Sequence, residues 1–529
     1  MNTIKVMKVK VLAVLFLFAT FSGFAQQAQD SIALKFGNTI TSDDLREHLY
    51  IVASDSFGGR NTGSKELEMA ANYLIKEYKS NNLEGIVDGG HQQYFPVLES
   101  RWDQPSIDIN GQTFNFMEDF YGFPRMNQSM EEKISEVTFV GYGIESEKYN
   151  DYKKEEVEGK ALLILAGEPM SADSTYFVTG TTDKSRFTSN FSASMRTKQE
   201  IAAQKGASLV LMVDDNFASN SRRYGAYMKM PSMMLPDNAP DIQANFIFIS
   251  PKMANALLSN KDLEKLKAKI NKKGKSKPFT IKADISLGLV KNNEEIQTSN
   301  VLGFIEGSDL KDEVIVITSH YDHVGTTDGQ VYNGADDDGS GTVAVLEIAE
   351  AFAQAKAEGK GPRRSLLFMN VSGEEKGLLG SEYYTSNPVI PLENTVANLN
   401  IDMIGRTDNE HNKDDQYVYV IGSNRLSTEL HQINEEANAT YTNLVLDYKY
   451  NAFDDPNRFY YRSDHYNFAK HQIPIIFYFN GVHEDYHQPG DTPDKINYEL
   501  LEKRARLVFY TAWQLANQDK RIEVDVRGK

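Results

Sequence analysis

The sequence predicts an α/β fold, a three-layer sandwich around a mostly parallel central sheet, with a smaller β-rich domain inserted into it. The chain has 529 residues, of which 40% are hydrophobic and 25% are charged. This is ordinary composition for a soluble chain with more than one hydrophobic core. From residue 296 onward, short β-type segments alternate with helical patterns. Because strands that alternate with helices form parallel sheets covered on both faces, this alternation is the main support for the fold class.

The first 25 residues have the pattern of a secretory signal peptide. Three lysines precede the apolar run 11–21, and the small residues Gly23 and Ala25 follow it. This order predicts cleavage after Ala25 and export to the periplasm or the medium. The apolar run is shorter than the roughly 20 residues that a membrane-spanning helix needs, so we expect no membrane span after cleavage.

Charge and cysteine content exclude several classes of protein. The formal net charge is −18, and removal of the leader, with its three lysines and no acid, takes it to −21. Such an acidic chain is poorly suited to bind nucleic acid or anionic lipid. The chain has no cysteine, which excludes disulfides, thiol catalysis and lipid attachment through an N-terminal cysteine.

The sequence pattern changes twice in the first half of the chain. Helical patterns at 41–53 and 64–81 flank a polar loop rich in glycine and serine. After residue 113, short β-type runs such as SEVTFVGYGI and GKALLILAGEP appear, with a long polar stretch at 171–197. These β-type runs and the polar stretch predict a separate inserted domain.

We therefore expect five parts along the chain. They are the leader at 1–25, a first part of the larger domain at 30–113, the inserted domain at 114–285, the main part of the larger domain at 286–518, and a solvated tail at 519–529. The main part should contain strands at 314–320, 364–372, 395–405, 416–422 and 473–481, and helices at 342–355 and 497–517.

Residues that can bind a metal lie where these strands should end. They are His320, an Asp-rich loop at 336–338, the pair Glu374 and Glu375, Asp402, and His487. Open α/β sheets bind ligands at the carboxyl ends of their strands, so we expect these side chains to share one edge. Imidazole and carboxylate groups, without thiolate, suit zinc and other divalent metals of the first row.

The Asp-rich loop also fits a different metal site. Residues 336–347, DDDGSGTVAVLE, match the twelve-residue calcium loop, with acids at positions one, three and twelve. An EF-hand needs a helix before that loop, whereas a predicted strand and a loop come before this segment. The context therefore disfavours a calcium-binding protein.

Together, five segments resemble the zinc-dependent exopeptidases that include bacterial leucyl aminopeptidases, glutamate carboxypeptidases, glutaminyl cyclases and the non-catalytic transferrin receptors. The segments are HYD, GADDDGSG, SGEEKGLLGS, NIDMIGR and DYHQPGDTPDKI, in the order of that family's motifs. The resemblance covers residues 41–105 and 296–516. The inserted region resembles a protease-associated domain through FVGYGI and AAQKGASLVLMV.

The resemblance implies two Zn²⁺ ions per chain, bridged by Asp337. One ion would also be held by His320 and Asp402, and the other by Glu375 and His487. A shared anion between two neighbouring cations agrees with this allocation.

The resemblance also implies catalytic roles for three further residues. Glu374 would be the general base for a hydroxide that bridges the metals and attacks the first peptide bond. Asp322 would orient His320, and the Tyr486 phenol would stabilise the oxyanion.

Two further features concern residues that are not among the five predicted metal ligands. Asp338 stands where the family usually has asparagine, which adds negative charge near the site but is not a ligand position. The segment RSDH contributes weaker site candidates, Arg462, Ser463, Asp464 and His465, which would equally fit a hydrogen-bond network within a loop.

The function predicted from these observations is that of an exported aminopeptidase acting on peptide substrates. A carboxypeptidase would need an arginine cluster for the substrate carboxylate, which the sequence alone cannot assemble. A glutaminyl cyclase of the same family uses one metal, and a receptor-like protein should have lost metal ligands, whereas none is lost here. Side-chain preference and oligomeric state are not predicted.

Overall fold

The structure is a computed structural model that describes residues 29–153, 156–411 and 415–526. The predicted leader lies outside the described residues, as does the end of the predicted tail. Within the described ranges, no helix combines the length and the apolar character that crossing a membrane requires.

The helices of the described chain surround a long sheet. They are α1 (Ser31–Gly37), α2 (Ser42–Val52), α3 (Lys65–Ser80), α4 (Phe191–Gln204), α5 (Phe217–Lys229), α6 (Pro251–Leu258), α7 (Leu263–Lys273), α8 (Gly341–Ala357), α9 (Leu379–Ser386), α10 (Thr428–Ala437), α11 (His465–Lys470) and α12 (Tyr498–Asn517).

The strands of the first half are β1 (Gln92–Ile109), β2 (Gln112–Asn115), β3 (Phe120–Tyr121), β4 (Met130–Gly141), β5 (Ala161–Leu165), β6 (Leu209–Val213), β7 (Ser232–Met234), β8 (Asn245–Ile249) and β9 (Phe279–Ile305). Those of the second half are β10 (Leu310–His320), β11 (Gly325–Thr327), β12 (Gln330–Tyr332), β13 (Arg364–Val371), β14 (Thr395–Ile401), β15 (Tyr417–Ile421), β16 (Val445–Asp447) and β17 (Ile475–Phe479).

The C-terminal half of the sheet has the strand order β16-β15-β17-β14-β10-β13-β9. Strand β10 is parallel to β13 and β14, and β14 is parallel to β17. Strands β15 and β9 are antiparallel to their neighbours β17 and β13. The predicted α/β class with a mostly parallel central sheet is therefore confirmed.

Strand β10 shows why this sheet needs helices on both faces. Its buried side chains alternate, with Ile315 and Ile317 in the core beneath α8 and α12, and Val314 and Val316 in the core beneath α11. Side chains of a strand point to opposite faces in turn, so a run that is apolar throughout must be covered twice.

The inserted region has a core of its own, but the sheet does not stop at its borders. Strand β9 contributes Ile285 and Leu287 to the core of the inserted region, and Val301 and Ile305 to the core beneath α8. Strand β1 pairs with β9 along nearly its whole length. The predicted borders at 113/114 and 285/286 thus fall inside strands β2 and β9.

We expect Phe352→Ala to lower the free energy of unfolding by about 3–5 kcal/mol. Phe352 of α8 is fully buried, and its ring lies 4.8 Å from the Phe509 ring and 5.6 Å from the Trp513 ring of α12. Urea unfolding followed by circular dichroism measures the change. The control is Phe453→Ala at a side chain that is 70% exposed, expected within about 0.5 kcal/mol of the parent. Equal effects at both positions would contradict the packing described here.

Candidate metal centre

The predicted metal-binding residues come from five segments that meet at one edge of the sheet. His320 is the last residue of β10, Glu374 and Glu375 follow β13, and Asp402 directly follows β14. Because these three strands are parallel, their carboxyl ends lie side by side. Asp337 lies in the loop before α8, and His487 lies in the loop after β17.

Asp337 lies at the centre of this cluster, with one carboxylate oxygen facing each histidine. Its Oδ1 is 3.3 Å from His320 Nε2, and its Oδ2 is 3.0 Å from His487 Nε2. His320 Nε2 is also 3.6 Å from Asp402 Oδ1, and His487 Nε2 is 3.0 Å from Glu375 Oε2. The residues thus form two groups that share Asp337: site 1 with His320 and Asp402, and site 2 with Glu375 and His487.

The atoms that face one another in these two sites are buried without hydrogen-bond partners. They include His320 Nε2, Asp337 Oδ2, Glu375 Oε1 and His487 Nε2. A buried polar atom without a partner costs about 1–3 kcal/mol, which a cation bound between such atoms would offset. Two histidines and three carboxylates whose donor atoms lie this close together fit a pair of divalent ions such as zinc.

The pKa values describe what holds the cluster together without a cation. Although burial favours its neutral form, contacts with His320 and His487 hold the pKa of Asp337 well below its usual range. Burial and the charge of Asp337 likewise oppose ionisation of Glu375, but His323 and His487 lower its pKa to about 2. Burial opposes the charge on His487, yet Asp337 and Glu375 raise its pKa to about 10. A metal ion would therefore take the place of protons on the histidines.

Asp338 lies next to Asp337, the predicted bridging residue, but its carboxylate faces backbone N–H groups. Its carboxylate accepts hydrogen bonds from the backbone N–H groups of His320, Gly341 and Met403, at 3.2, 2.9 and 3.0 Å. Its donor atoms, with those of His320 and Asp402, are also close enough together to hold an ion. We assign the bridge to Asp337 because both Asp338 oxygens already have partners, whereas Asp337 Oδ2 has no hydrogen bond. The peptide bond between the two residues is cis.

The loop that carries Asp337 is fixed by Asp491, which the sequence analysis did not identify. The backbone N–H groups of Asp336 and Asp337 donate to the Asp491 carboxylate at 3.0–3.1 Å. Asp336 itself accepts from the Gly405 N–H at 2.7 Å and contacts His483. Its side chain is therefore turned away from sites 1 and 2.

Arg60 fixes the same loop from the other side and was also missed. Its buried guanidinium donates hydrogen bonds of 2.7–2.9 Å to four backbone carbonyls, those of Val52, Tyr321, Asn333 and Gly334. A buried guanidinium with its donors satisfied by four carbonyls joins the N-terminal helices to the loop before α8.

The acids of the calcium-loop pattern have separate partners. Asp336 faces Gly405 and His483, and Asp338 faces three backbone N–H groups. Glu347 lies on α8, with its Oε1 3.3 Å from His48 Nε2 of α2. The geometry gives no support to calcium binding by this segment.

Glu374 and Asp322 lie beside site 1. Glu374 Oε2 is 4.0 Å from His320 Nε2, and the Glu374 N–H donates to Asp322 Oδ1 at 3.1 Å. His320 Nδ1 is 3.0 Å from the backbone carbonyl of Asp322 and 3.8 Å from its carboxylate. Asp322 thus holds His320 through its main chain, which leaves Nε2 of that ring free for a metal.

The pKa values of Glu374 and Tyr486, two of the predicted catalytic side chains beside the predicted metal ligands, are both shifted. Burial, together with the charges of Asp402 and Glu375, raises the pKa of Glu374 well above its usual range, although His320 opposes the shift. Burial and the charges of Asp337 and Glu375 raise the pKa of Tyr486 well above its usual range, so its phenol stays protonated. The Tyr486 ring stacks on the His487 ring with centroids 4.0 Å apart.

Of the RSDH segment, only Arg462 faces the cavity beside Glu374 and Asp402. Asn400 donates to Ser463 at 2.9 Å, Ser381 donates to Asp464 at 2.5 Å, and His465 Nε2 lies 2.9 Å from the Tyr460 carbonyl. These three form a network that supports the strand ends.

The cavity beside the two sites has apolar walls. Its lining includes Met403, Phe459, Phe477 and Phe479 together with Glu374 of the cluster. Such a combination of apolar walls and a few polar groups is typical of a ligand pocket.

His323 is the main residue of the cluster that the sequence analysis missed. It is fully buried, and its Nδ1 lies 2.8 Å from Glu375 Oε1. The only available signal was a second histidine in HYDH, three residues after His320.

Comparison with known proteins finds similarity to peptidases. Residues 300–512 match the family described as Peptidase family M28. A probable leucine aminopeptidase from Arthroderma otae is 29% identical over 212 residues, 39% of this chain and 55% of the relative. A probable zinc metalloprotease from Leptosphaeria maculans is 25% identical over 261 residues, 42% of this chain and 58% of the relative. The chain spans little more than half the length of these curated relatives.

Two solved structures share the fold over nearly the whole chain. An aminopeptidase from Aneurinibacillus sp. strain AM-1 superposes with a TM-score of 0.57 at 18% identity, covering 94% of this chain and 98% of that one. A zinc aminopeptidase from Bacillus subtilis superposes with a TM-score of 0.51 at 16% identity, covering 92% of this chain and 99% of that one.

We expect Asp337→Asn to weaken zinc binding by on the order of 100-fold or more, because Asp337 serves both sites. Asp338→Asn should leave zinc content unchanged, since its oxygens face backbone N–H groups. Zinc retained after dialysis against a weak chelator, measured by mass spectrometry, compares the two. Loss of zinc from Asp338→Asn with retention in Asp337→Asn would reverse the assignment of the bridging residue.

Proposed function

We propose, from the premise that residues 300–512 belong to peptidase family M28, that this chain is an exported two-zinc aminopeptidase. The observation that carries the proposal is the set of buried, unpartnered imidazole and carboxylate atoms of His320, Asp337, Glu375 and His487. The family match supports the reaction class, as does similarity to a probable leucine aminopeptidase and a probable zinc metalloprotease. Export rests on the leader pattern in the sequence.

The five ligands would hold the metals as two sites that share Asp337. When bound, zinc supplies Lewis-acid activation of the peptide carbonyl and of the attacking water. Glu374 would accept the proton from that water and deliver it to the nitrogen of the leaving amine. Its carboxylate suits this task because it lines the cavity and lies 4.0 Å from the His320 ring without being a ligand.

Tyr486 and Asp322 would assist in different ways. The Tyr486 phenol lines the same cavity and remains protonated, so it can donate a hydrogen bond to the developing oxyanion. Asp322 fixes His320 through its carbonyl and Glu374 through its carboxylate. It therefore sets the relative position of a metal ligand and the base.

The charge of the cavity favours the N-terminal end of a peptide. Asp337, Glu374 and Asp402 contribute carboxylates to its lining, which would attract the terminal amine. The apolar walls formed by Phe477 and Phe479 would accept a large apolar side chain, so we expect a preference for substrates such as leucyl peptides.

We expect Glu374→Gln to lower kcat for leucyl-p-nitroanilide by on the order of 100-fold or more, with zinc content unchanged. The parent should contain about two zinc ions per chain and lose activity on dialysis against a strong chelator. Glu393→Gln, at an exposed position away from the cluster, serves as the matched control. Near-parental turnover in Glu374→Gln would remove Glu374 from the role of base.

A carboxypeptidase or dipeptidase is the second candidate, and Arg462 is the observation that favours it. The side chain is exposed at the cavity, and its guanidinium carbon lies 4.8 Å from the Phe459 ring centre. Among the described residues it forms no ion pair within 4.0 Å. A guanidinium without a carboxylate partner among the described residues, next to the proposed site of cleavage, could bind the carboxylate of a substrate.

The two candidates differ in their response to Arg462→Met. If the substrate carboxylate is recognised, the variant should lose on the order of 10-fold or more in kcat/KM for leucyl-leucine and little for leucyl-leucine amide. Arg458→Met is the matched control, because Arg458 lies over the Tyr461 ring instead, 4.9 Å from its centre. Equal loss on the two substrates would assign the enzyme to aminopeptidase action without carboxylate recognition.

A further inference from the structure

We propose that His323 is a fourth protein ligand of the metal ion in site 2, beside Asp337, Glu375 and His487. The proposal rests on the two-zinc centre proposed above and adds a residue that the family's five-ligand pattern does not contain. Its consequence is that the two metal sites would differ in their number of protein ligands.

The first observation is where the His323 ring lies. The backbone N–H of His323 donates to the Arg60 carbonyl at 3.0 Å, in the same network that fixes the loop before α8. The ring packs against Gly334, where a Cβ would come within 2.5 Å of His323 Cγ. Gly334 also has a φ of 56°, a left-handed conformation that favours glycine. The backbone on both sides therefore leaves one place for this imidazole, inside the cluster.

The second observation is what the ring faces. His323 Nδ1 is 2.8 Å from Glu375 Oε1 and 3.8 Å from Asp337 Oδ2. Its donor atoms and those of Asp337 and Glu375 are close enough together to hold one ion. The His323 and His487 rings meet edge to face, with centroids 5.7 Å apart. Two imidazoles thus approach the same pair of carboxylates from different sides.

The third observation is that these short contacts are not hydrogen bonds. His323 is fully buried, yet neither ring nitrogen has a hydrogen-bond partner, and Glu375 Oε1 has none. His487 Nε2 shows the same combination of short distances and no hydrogen bond. Donor atoms that approach closely while their lone pairs point to a common place are what a metal ligand set requires. By this criterion His323 is equivalent to His487.

A four-ligand site 2 would differ from site 1 in its chemistry. Zinc with four protein ligands is typical of closed sites, whereas three protein ligands leave a position for water or substrate. Site 1, with His320, Asp337 and Asp402, would keep the open position, next to Glu374. Site 2 would bind its ion more tightly and fill first.

Zinc titration of the metal-free protein against a competing chromophoric chelator tests this inference. We expect the parent to bind two ions with different Kd values, and His323→Ala to weaken one of them by on the order of 100-fold or more. The matched control is His91→Ala, which removes a buried imidazole that hydrogen-bonds to the Leu302 carbonyl and lies beside the Tyr78 ring, away from the cluster. Both Kd values of this control should equal those of the parent.

His323→Asp separates a ligand from a residue that merely orients Glu375. An aspartate oxygen can occupy about the place of the imidazole Nδ1, so it would restore much of the zinc affinity if the position is a ligand. If His323 only donated a hydrogen bond to Glu375, an aspartate there would repel that carboxylate and bind zinc no better than alanine. Circular dichroism of the zinc-free variants establishes that they are folded.

The outcomes are distinct. Two unchanged Kd values in His323→Ala would overturn the inference, as would a loss of affinity that His323→Asp does not recover. The visible absorption of the cobalt-substituted protein gives a second readout, because loss of a ligand changes it and loss of a distant contact does not. A parent that binds fewer than two ions contradicts the two-zinc proposal itself, before any variant is compared.

Discussion

The structure depends on how several buried carboxylates can share one edge of a sheet. Asp322, Asp337, Asp338 and Glu374 are all fully or largely buried near His320. Such a concentration of acids is unfavourable in a medium of low dielectric unless each charge has donors or a cation. The chain resolves this in two ways. Some acids receive backbone N–H groups, as Asp338 does, and others are left facing imidazoles, as Asp337 is. The division between these two groups separates the supporting acids from the proposed metal ligands.

The supporting interactions fix the loop before α8 from opposite sides. Arg60 binds carbonyls at the start of this loop, and Asp491 binds N–H groups at its centre. With the donors and acceptors of the loop backbone satisfied in this way, the Asp337 side chain is held in place facing His320 and His487. A backbone group also positions His320, because its Nδ1 is held by the Asp322 carbonyl.

The features that could be predicted from the sequence are those encoded locally. The strands β10, β13 and β14 are short apolar runs, and polar residues that follow such runs fall at the sheet edge by topology alone.

The features that could not be predicted depend on contacts between distant segments. Arg60 reaches Gly334 across 274 positions, and Asp491 reaches Asp337 across 154. His323 could not be assigned because nothing local distinguishes a buried ligand from a buried structural histidine. Likewise, the change in sequence pattern near residues 114 and 285 marks a second core, but it could not reveal that β9 contributes side chains to both cores and pairs with β1 along nearly the whole length of β1.

The continuous strands connect the inserted region to the metal centre. Strand β7 pairs with β1 at residues 98–100, and Met233 and Leu235 pack with Phe95 and Leu379 in one small core. Leu379 begins α9, the helix that follows the turn carrying Glu374 and Glu375. The Phe95 ring also stacks on Tyr383 of α9 with centroids 4.9 Å apart. This segment packs against the helix that directly follows the turn carrying Glu374 and Glu375. The inserted region therefore belongs to the physical support of the candidate site.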